Sequence, residues 1–366
     1  MTTDVMAEQD FHNTSLIIST TAEMPKQDHL TTNCRNFSLN DGSIRVPLAV
    51  FYSLFFLLGL AGNLLALWVF LRLHGKKNSV RIFLINLALA DLVLMICLPF
   101  RVAYHANHDS WSLHPVFCRV VGNVFYMNMY VSIVLLGLIS IDRYVKLQKT
   151  SSRQRFLSSK QSILTCCLLW VIATVCIIPL ITLGRDHRSS DVCFQYKHLH
   201  NAKWKAYLNL AVVVGFWVVY GTLVTSYGKI AMRLLQVSTE RPDFPNAAKY
   251  SRTARKSFFV LFLFTLCFVP YHLVRIFYIY SQIADVSCQW IHLVDKINEL
   301  SLLLSAFNSC LDPVMYFVLC SSVRRTVLQV LHKNFCLRTS GGYSSSSYDK
   351  ERNQREQATQ SDTSTL

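Results

Sequence analysis

Charged residues are scarce in this 366-residue chain, where Asp, Glu, Lys and Arg together make up 16%. A typical soluble domain carries about 25%. Hydrophobic residues reach 52%, and a chain of this length has no aqueous core large enough to hide so much apolar surface. Much of it must therefore face lipid. Glycine is also sparse, with 12 residues, which argues against a collagen-like or low-complexity chain.

The net charge of +15 could suggest a nucleic-acid-binding protein. A solvated basic domain needs a charged surface, however, and here the basic residues cluster in short stretches between apolar runs. Such clusters are typical of loops beside the cytoplasmic face of a membrane. The charge pattern therefore favours a membrane protein without a nucleic-acid partner.

Catalytic motifs are absent from the apolar segments. They contain no Gly-x-Ser-x-Gly, no His-Glu-x-x-His and no catalytic pair of aspartates, so we do not expect an enzyme. A transporter would favour repeated halves, and the chain shows no repeat at a fixed period. A transporter therefore stands only as a disfavoured alternative.

Long apolar segments define the fold. A membrane-spanning helix needs about 20 mostly apolar residues. Seven windows meet this requirement, at 46–72, 80–105, 116–146, 161–184, 204–234, 256–281 and 290–320. The sequence therefore predicts an all-α membrane protein, a seven-transmembrane helix bundle, with a short amphipathic surface helix at Ser322–Leu331. We predict an N-terminal tail (1–44), a transmembrane domain (45–337) and a disordered tail (338–366).

Lys and Arg set the orientation. They are frequent in the first, third and fifth connections, whereas the second, around Ala106–His114, has none. Because cytoplasmic loops retain positive charge, the N-terminus is predicted outside and the C-terminus inside the cell. The first 44 residues show no signal peptide, so the first span should act as the targeting signal to the plasma membrane. Asn13 and Asn36 are candidate glycosylation sites on the outer side.

Most of the twelve cysteines lie within the predicted spans, where reduced packing residues are expected. Four lie at the outer surface, where disulfides can form. Cys118 begins the third span and Cys193 lies in the fourth connection, so that pairing them would hold this connection over the mouth of the bundle. Cys34 and Cys288 could form a second bridge. On the inner side, Cys336 is a candidate palmitoylation site.

Each span also carries a distinctive polar residue or proline, and polar groups inside a membrane are usually functional. In chain order the motifs are Gly62-Asn63, Asp91 in Leu-Ala-Leu-Ala-Asp, Asp142-Arg143-Tyr144, Trp170, Tyr227, the segment from Phe264 to Tyr271, and Asn308 with Asp312-Pro313-Val314-Met315-Tyr316. Together they resemble the rhodopsin-like G-protein-coupled receptors over residues 45–335. That resemblance implies a heterotrimeric G protein as the intracellular partner.

The resemblance implies an intracellular switch and an ion site. Arg143 would be held by Asp142 at rest and would turn toward the partner once the helices separate. The expected switch residues are Asp142, Arg143, Tyr144, Tyr227, Phe268, Pro270, Asp312, Pro313 and Tyr316, with the two prolines acting as hinges. The expected sodium-binding residues are Asp91, Ser132, Asn308 and Asp312, beside Asn63. A water-filled structural network is the alternative.

Departures from the common pattern identify a branch of the family. Asp312 stands where most members have Asn, Phe268 where many have Trp, and Val219 where Pro is usual. These changes are similar to the purinergic branch, which contains nucleotide and lysophospholipid receptors. An amine receptor would need an acid in Phe125–Asn128, and an opsin would need Lys at Ala306, so both are excluded.

Cations in the outer half of the bundle indicate an anionic ligand. Two arginines suit a phosphate, because a guanidinium meets it with paired hydrogen bonds, and an acid could receive an ammonium group. The expected ligand-binding residues are Arg101, Tyr126, Tyr130, His272, Arg275, Asn298 and Glu299, with His105 at the rim. The alternative for Arg101 and Glu299 is that they neutralise each other across the bundle.

This pattern is most similar to the lysophosphatidylserine receptors of the branch, which implies that ligand and an inhibitory G protein. A nucleotide or nucleotide sugar is the alternative ligand. In the C-terminal tail, Ser344–Ser347 and Ser361–Ser364 could be phosphorylated and recruit an arrestin. The terminal Ser364-Thr365-Leu366 fits a motif for PDZ domains.

Overall fold

The structure of the protein is a computed structural model that describes residues 44–72, 78–148, 157–182, 193–194, 199, 203–240, 247–320 and 323–329. Seven long helices make up most of this part of the chain. They are α1 (Arg45–Arg72), α2 (Ser79–Ala106), α3 (Pro115–Gln148), α4 (Ser159–Thr182), α5 (Lys203–Glu240), α6 (Ala247–Ile283) and α7 (Cys288–Leu319).

All seven helices are long and apolar enough to cross a membrane. Helix α1, with 28 residues, is about 42 Å long at 1.5 Å per residue, whereas the hydrocarbon core is about 30 Å thick. A helix satisfies its backbone hydrogen bonds internally, which lipid cannot do for it. The predicted fold class, a seven-helix membrane bundle, is confirmed.

Helices α5 and α6 extend further on the inner side than their apolar windows. Helix α5 continues to Glu240 and α6 already begins at Ala247, whereas the windows ended at 234 and began at 256. Hydropathy detects only the lipid-facing length, and a helix can continue into water with polar residues. Residues 323–329 are helical, in agreement with the surface helix predicted around them.

Helices α2 and α3 form the centre of the bundle and α4 lies at its edge. Of the most apolar window, 61% is buried in α2 and in α3 but only 6% in α4. Helix α4 is tied to the centre by Trp170, whose indole N–H donates a hydrogen bond to Asn86 Oδ1 of α2 at 3.0 Å. Lipid must therefore cover most of α4.

The predicted Cys118–Cys193 disulfide is present, with 5.8 Å between the two Cα atoms. It anchors an outer aromatic cluster that includes Tyr104 and Trp111. Cys288 is also disulfide-bonded. Several predicted sites lie outside the described residues. They are Cys34, Asn13, Asn36, Cys336, Ser344–Ser347, Ser361–Ser364 and the terminal Ser364-Thr365-Leu366.

Two glycines allow α1 to approach its neighbours closely. A Cβ atom at Gly59 would lie 2.6 Å from Met95 Sδ, and one at Gly62 would lie 2.7 Å from Pro313 Cγ. Methionine can change rotamer, whereas the proline ring is rigid. Gly62 therefore fixes the contact between α1 and the proline hinge of α7.

Gly62→Ala should lower the thermal stability of the purified receptor, because overpacking against a rigid ring costs about 1–3 kcal/mol. The measurement is a thermal melt followed with a thiol-reactive dye. Gly215→Ala is the matched control: nothing lies within 4 Å of a Cβ at Gly215, and it should melt at or slightly above the wild-type temperature. Equal melting temperatures for Gly62→Ala and the wild type would contradict the packing argument.

Candidate functional site

Arg275 on α6 lies in a cage of tyrosines. Tyr271 and Tyr278 are one turn before and one turn after it on the same face, and Tyr126 reaches it from α3. The guanidinium carbon is 4.6 Å from the Tyr278 ring centroid, 5.8 Å from Tyr126 and 5.9 Å from Tyr271. In the described part of the chain, Arg275 has no carboxylate within ion-pair distance. Its charge is therefore available to an anion.

Arg101 on α2 is enclosed instead. It is 3% exposed, donates a hydrogen bond to the Tyr52 hydroxyl at 2.8 Å, and lies 3.6 Å from Glu299. The rings of Phe125 and Phe194 cover its guanidinium, each at 4.6 Å. The structure thus brings Arg101 and Glu299 together in the arrangement of the neutralising alternative. Tyr52 and Phe194 were not predicted as members of this cluster.

Helix α7 contributes acids and an amide to the outer site. Glu299 is 15% exposed, and its Oε2 atom has no hydrogen-bond partner within the described residues. Asp295 lies one turn before it, near enough to Glu299 and Arg275 for both charges to act on its carboxyl. Asn298 is nearly fully buried. Sequence reasoning missed Asp295, although its spacing of four from Glu299 was a usable signal.

His272 lies beneath Arg275 and is fully buried. Its Nδ1 donates to the Phe268 carbonyl at 2.8 Å, its ring stacks on Phe216 of α5 at 3.6 Å, and Tyr130 of α3 contacts it edge-on at 5.9 Å. Tyr130 and His272, each predicted as a ligand-binding residue, therefore pack in one layer that joins α3, α5 and α6 beneath Arg275.

At the outer rim, His105 contacts Asp109, with 2.9 Å between Nδ1 and Oδ1. Asp109 also pairs with Arg45 at the start of α1, at 2.7 Å. These contacts join α1 to the end of α2.

Asp91 is the centre of a buried network at mid-height. Its Oδ1 accepts hydrogen bonds from Ser309 Oγ at 2.7 Å and from Asn128 Nδ2 at 3.3 Å. Asn63 of α1 donates to the Ser309 carbonyl at 2.9 Å. Four helices, α1, α2, α3 and α7, therefore meet here. Ser309 and Asn128 were not predicted as members of this network.

The same region contains groups suited to a cation. The Asp312 carboxyl lies beside that of Asp91 and accepts a hydrogen bond from Asn308 at 2.8 Å. Asp91 Oδ2 and Ser132 Oγ are buried without a hydrogen-bond partner in the described structure. Two adjacent carboxyls and a hydroxyl are oxygen donors, which hard cations prefer. The four predicted sodium ligands thus fit the ion.

On the inner side, Tyr227 of α5 donates its hydroxyl proton to Ser140 Oγ of α3 at 2.5 Å. Ser140 in turn donates to the Leu136 carbonyl at 2.8 Å. The ion pair expected between Asp142 and Arg143 is not among those of the described residues. Neighbouring residues on a helix do not face each other, which explains why sequence adjacency did not bring these two charges together.

The other predicted switch residues connect α6 and α7 to the bundle. Phe268, two residues before Pro270, is fully buried against Phe264, with 5.1 Å between the ring centroids. The Tyr316 hydroxyl donates to Asn63 Oδ1 at 3.5 Å. Tyr144 is partly buried against the hydrophobic core, and Pro313 packs beside Gly62.

Comparison with known proteins agrees with this architecture. Residues 62–316 match the family described as 7 transmembrane receptor (rhodopsin family). The chain is 46% identical over 318 residues to "Probable G-protein coupled receptor 34" of Mus musculus, covering 86% of this chain and 85% of the relative. It is 32% identical over 285 residues to purinoceptor 14 of Bos taurus, covering 77% and 84%. The "Uracil nucleotide/cysteinyl leukotriene receptor" of Homo sapiens is 32% identical over 286 residues, covering 77% and 76%.

These relatives are receptors and not enzymes, and a seven-span receptor of this kind is a multi-pass protein of the plasma membrane whose partner is a G protein. The motifs, the seven helices and the family match agree. The chain belongs to the rhodopsin family of seven-transmembrane, G-protein-coupled receptors.

Proposed function

We propose that this receptor binds an extracellular anionic lysophospholipid, lysophosphatidylserine, and signals through an inhibitory G protein. The observation that carries the proposal is the guanidinium of Arg275 in its tyrosine cage, without an ion-pair partner among the described residues. Aromatic walls exclude water, and a phosphate there would meet a fork of N–H donors. Glu299 Oε2 is paired with Arg101 at 3.6 Å but accepts no hydrogen bond among the described residues, so the ammonium group of the same headgroup would share this carboxylate with Arg101.

The outer half of the bundle also suits an apolar tail. Helices α4 and α5 are the least buried spans and hardly contact each other in the described structure, so an acyl chain could pass between them toward the lipid. A nucleotide has no such tail. One relative is named as a purinoceptor, and another is named for both a uracil nucleotide and a cysteinyl leukotriene. A nucleotide therefore belongs in the test beside the lipid.

Arg275→Ala should weaken lysophosphatidylserine activation by about 10- to 150-fold, because a charged hydrogen-bonding partner contributes about 1.5–3 kcal/mol. The readout is agonist-dependent nucleotide exchange on a purified inhibitory G protein, compared with a nucleoside diphosphate as agonist. Lys205→Ala, which removes an exposed cation at the outer end of α5, is the matched control. If neither agonist depends on Arg275, the proposed pocket is wrong; if only the nucleotide activates, the lipid assignment is wrong.

We propose further that the Tyr227–Ser140 hydrogen bond is part of the resting switch. It holds the hydroxyl of Tyr227 on α3, one turn from Arg143. A G protein entering the inner cavity would need α5 and α6 to move away from α3, which breaks this bond. The ring centroid of Tyr227 also lies 6.3 Å from that of Phe258 on α6. Movement of α6 would therefore directly change the packing around Tyr227.

Ser140→Ala should raise agonist-independent nucleotide exchange about fivefold, the effect of losing one hydrogen bond of about 1 kcal/mol that is specific to the resting state. The control is Ser162→Ala on α4, because Ser162 is equally buried and its hydroxyl, among the described residues, bonds only the Ser158 carbonyl just before its own helix. Unchanged basal exchange in Ser140→Ala would contradict the assignment of this bond to the resting switch.

The carboxyl pair at mid-height supports a sodium ion as an allosteric ligand. Asp91, Ser132, Asn308 and Asp312 would hold the ion through their oxygen atoms. The ion would supply positive charge that offsets two buried acids, and it would thereby favour the packed arrangement of α2, α3 and α7. Arrestin recruitment and PDZ binding remain predictions from the C-terminal sequence.

Sodium should raise the melting temperature of the purified receptor relative to choline at equal ionic strength, because a ligand stabilises the state that binds it. Asp91→Asn should abolish this difference in melting temperature between sodium and choline. Asp285→Asn, which changes an exposed carboxylate on the outer side, should preserve the difference. Identical melting of the wild-type receptor in the two salts would count against the sodium site and in favour of the water-filled network.

A further inference from the structure

Phe194 adopts an unusual backbone conformation directly after the Cys118–Cys193 disulfide. Its φ angle is 58°, in the left-handed region that a bulky residue rarely occupies. The ring contacts Tyr104 at 5.3 Å and Trp111 at 5.8 Å, both edge-on. A disulfide on one side and two aromatic rings on the other thus keep a strained residue in place.

The strained conformation places the Phe194 ring over Arg101. The guanidinium carbon lies 4.6 Å from the centroid of Phe194 and also 4.6 Å from that of Phe125, so the cation is clamped between two rings. Such contacts are strongest where water is excluded, and Arg101 is 3% exposed. Within the clamp, Arg101 faces Tyr52 and Glu299.

Gly122 on α3 leaves the space that the Phe194 ring needs. A Cβ atom at this position would lie 3.3 Å from Phe194 Cε1, which is closer than ordinary van der Waals contact. Even one methyl group would therefore press on the ring. Gly122 offers a way to disturb the clamp without removing any member of it.

Because of the clamp, the two outer arginines differ in whether a ligand can reach their guanidinium groups. Arg275 has no ion-pair partner in the described structure, whereas Arg101 is covered by Phe194 and directed to Glu299. The headgroup of lysophosphatidylserine has a net charge of about −1, because its ammonium group offsets its carboxylate, whereas a nucleoside diphosphate carries about −3 and would gain from a second guanidinium. We propose that Phe194 is a specificity-determining residue that withholds Arg101 from the ligand, so that a headgroup with a single phosphate is accepted in preference to a nucleoside diphosphate. This inference rests on the proposed function, because it explains how the lipid is preferred.

The first test needs no agonist. A 1,2-dicarbonyl reagent such as phenylglyoxal modifies accessible guanidinium groups, and mass spectrometry of the full-length receptor gives the ratio of modified Arg101 to modified Arg275. Phe194→Ala should raise this ratio at least about tenfold, consistent with losing one desolvated cation–π contact. Phe194→Tyr keeps the ring and should stay at the wild-type ratio, as should Phe117→Ala, which removes an exposed ring next to Cys118. An unchanged ratio in Phe194→Ala overturns the clamp.

The second test measures selectivity by nucleotide exchange on the G protein. Phe194→Ala should increase the potency of uridine diphosphate relative to lysophosphatidylserine about tenfold, the gain expected from one additional charged contact. Gly122→Ala should also raise the potency of uridine diphosphate relative to lysophosphatidylserine, but by a smaller factor. If Arg101 becomes reactive but the relative potency does not change, the role in selectivity is wrong. If lysophosphatidylserine does not activate the wild-type receptor, the proposed function is wrong. The labelling ratio of Arg101 to Arg275 still decides in that case whether Phe194 encloses Arg101.

Discussion

The buried carboxylate of Asp91 is the constraint on which the rest of the bundle depends. A charge or polar group in a low-dielectric interior must be paired or hydrogen-bonded, and Asp91 is fully buried. Ser309 and Asn128 bring α7 and α3 to it, and Asn63 brings α1 to the backbone of Ser309. One acid in α2 thus sets the relative positions of four helices. The close contacts of Gly59 and Gly62 follow from that convergence.

Helix α7 connects this centre to both faces of the membrane. Its outer end carries Glu299, which faces Arg101, and its middle carries Asp312 beside Asp91. At its inner end, the Leu319 carbonyl accepts a hydrogen bond from Lys256 of α6 at 3.3 Å. One helix thus contacts the outer charges, the mid-height acids and α6 at the inner side. Pro313 gives this helix a point at which to bend without unfolding.

Much of the candidate site could be predicted because membrane sequences restrict polar residues to positions that matter. Arg275, Glu299, Asp91 and the Cys118–Cys193 pair were all recognised from residue type and span. The availability of Arg101 could not be predicted, because it depends on Phe194, which is distant in the sequence and follows no periodic pattern. Ser140 and Ser309 were missed for a related reason: serines are common in such helices, and only the facing helix shows which of them bridges two spans.

The sequence by itself determined the seven helices and the receptor family, and it predicts the topology across the membrane. These properties depend on local hydrophobicity, on loop charge and on motifs, all of which can be read along the chain. Only the tertiary structure decided which charges are paired. It left the charge of Arg275 available among tyrosines and enclosed that of Arg101 between Phe125 and Phe194. The two arginines differ in their access to a ligand because packing between distant segments, and not residue identity, controls that access.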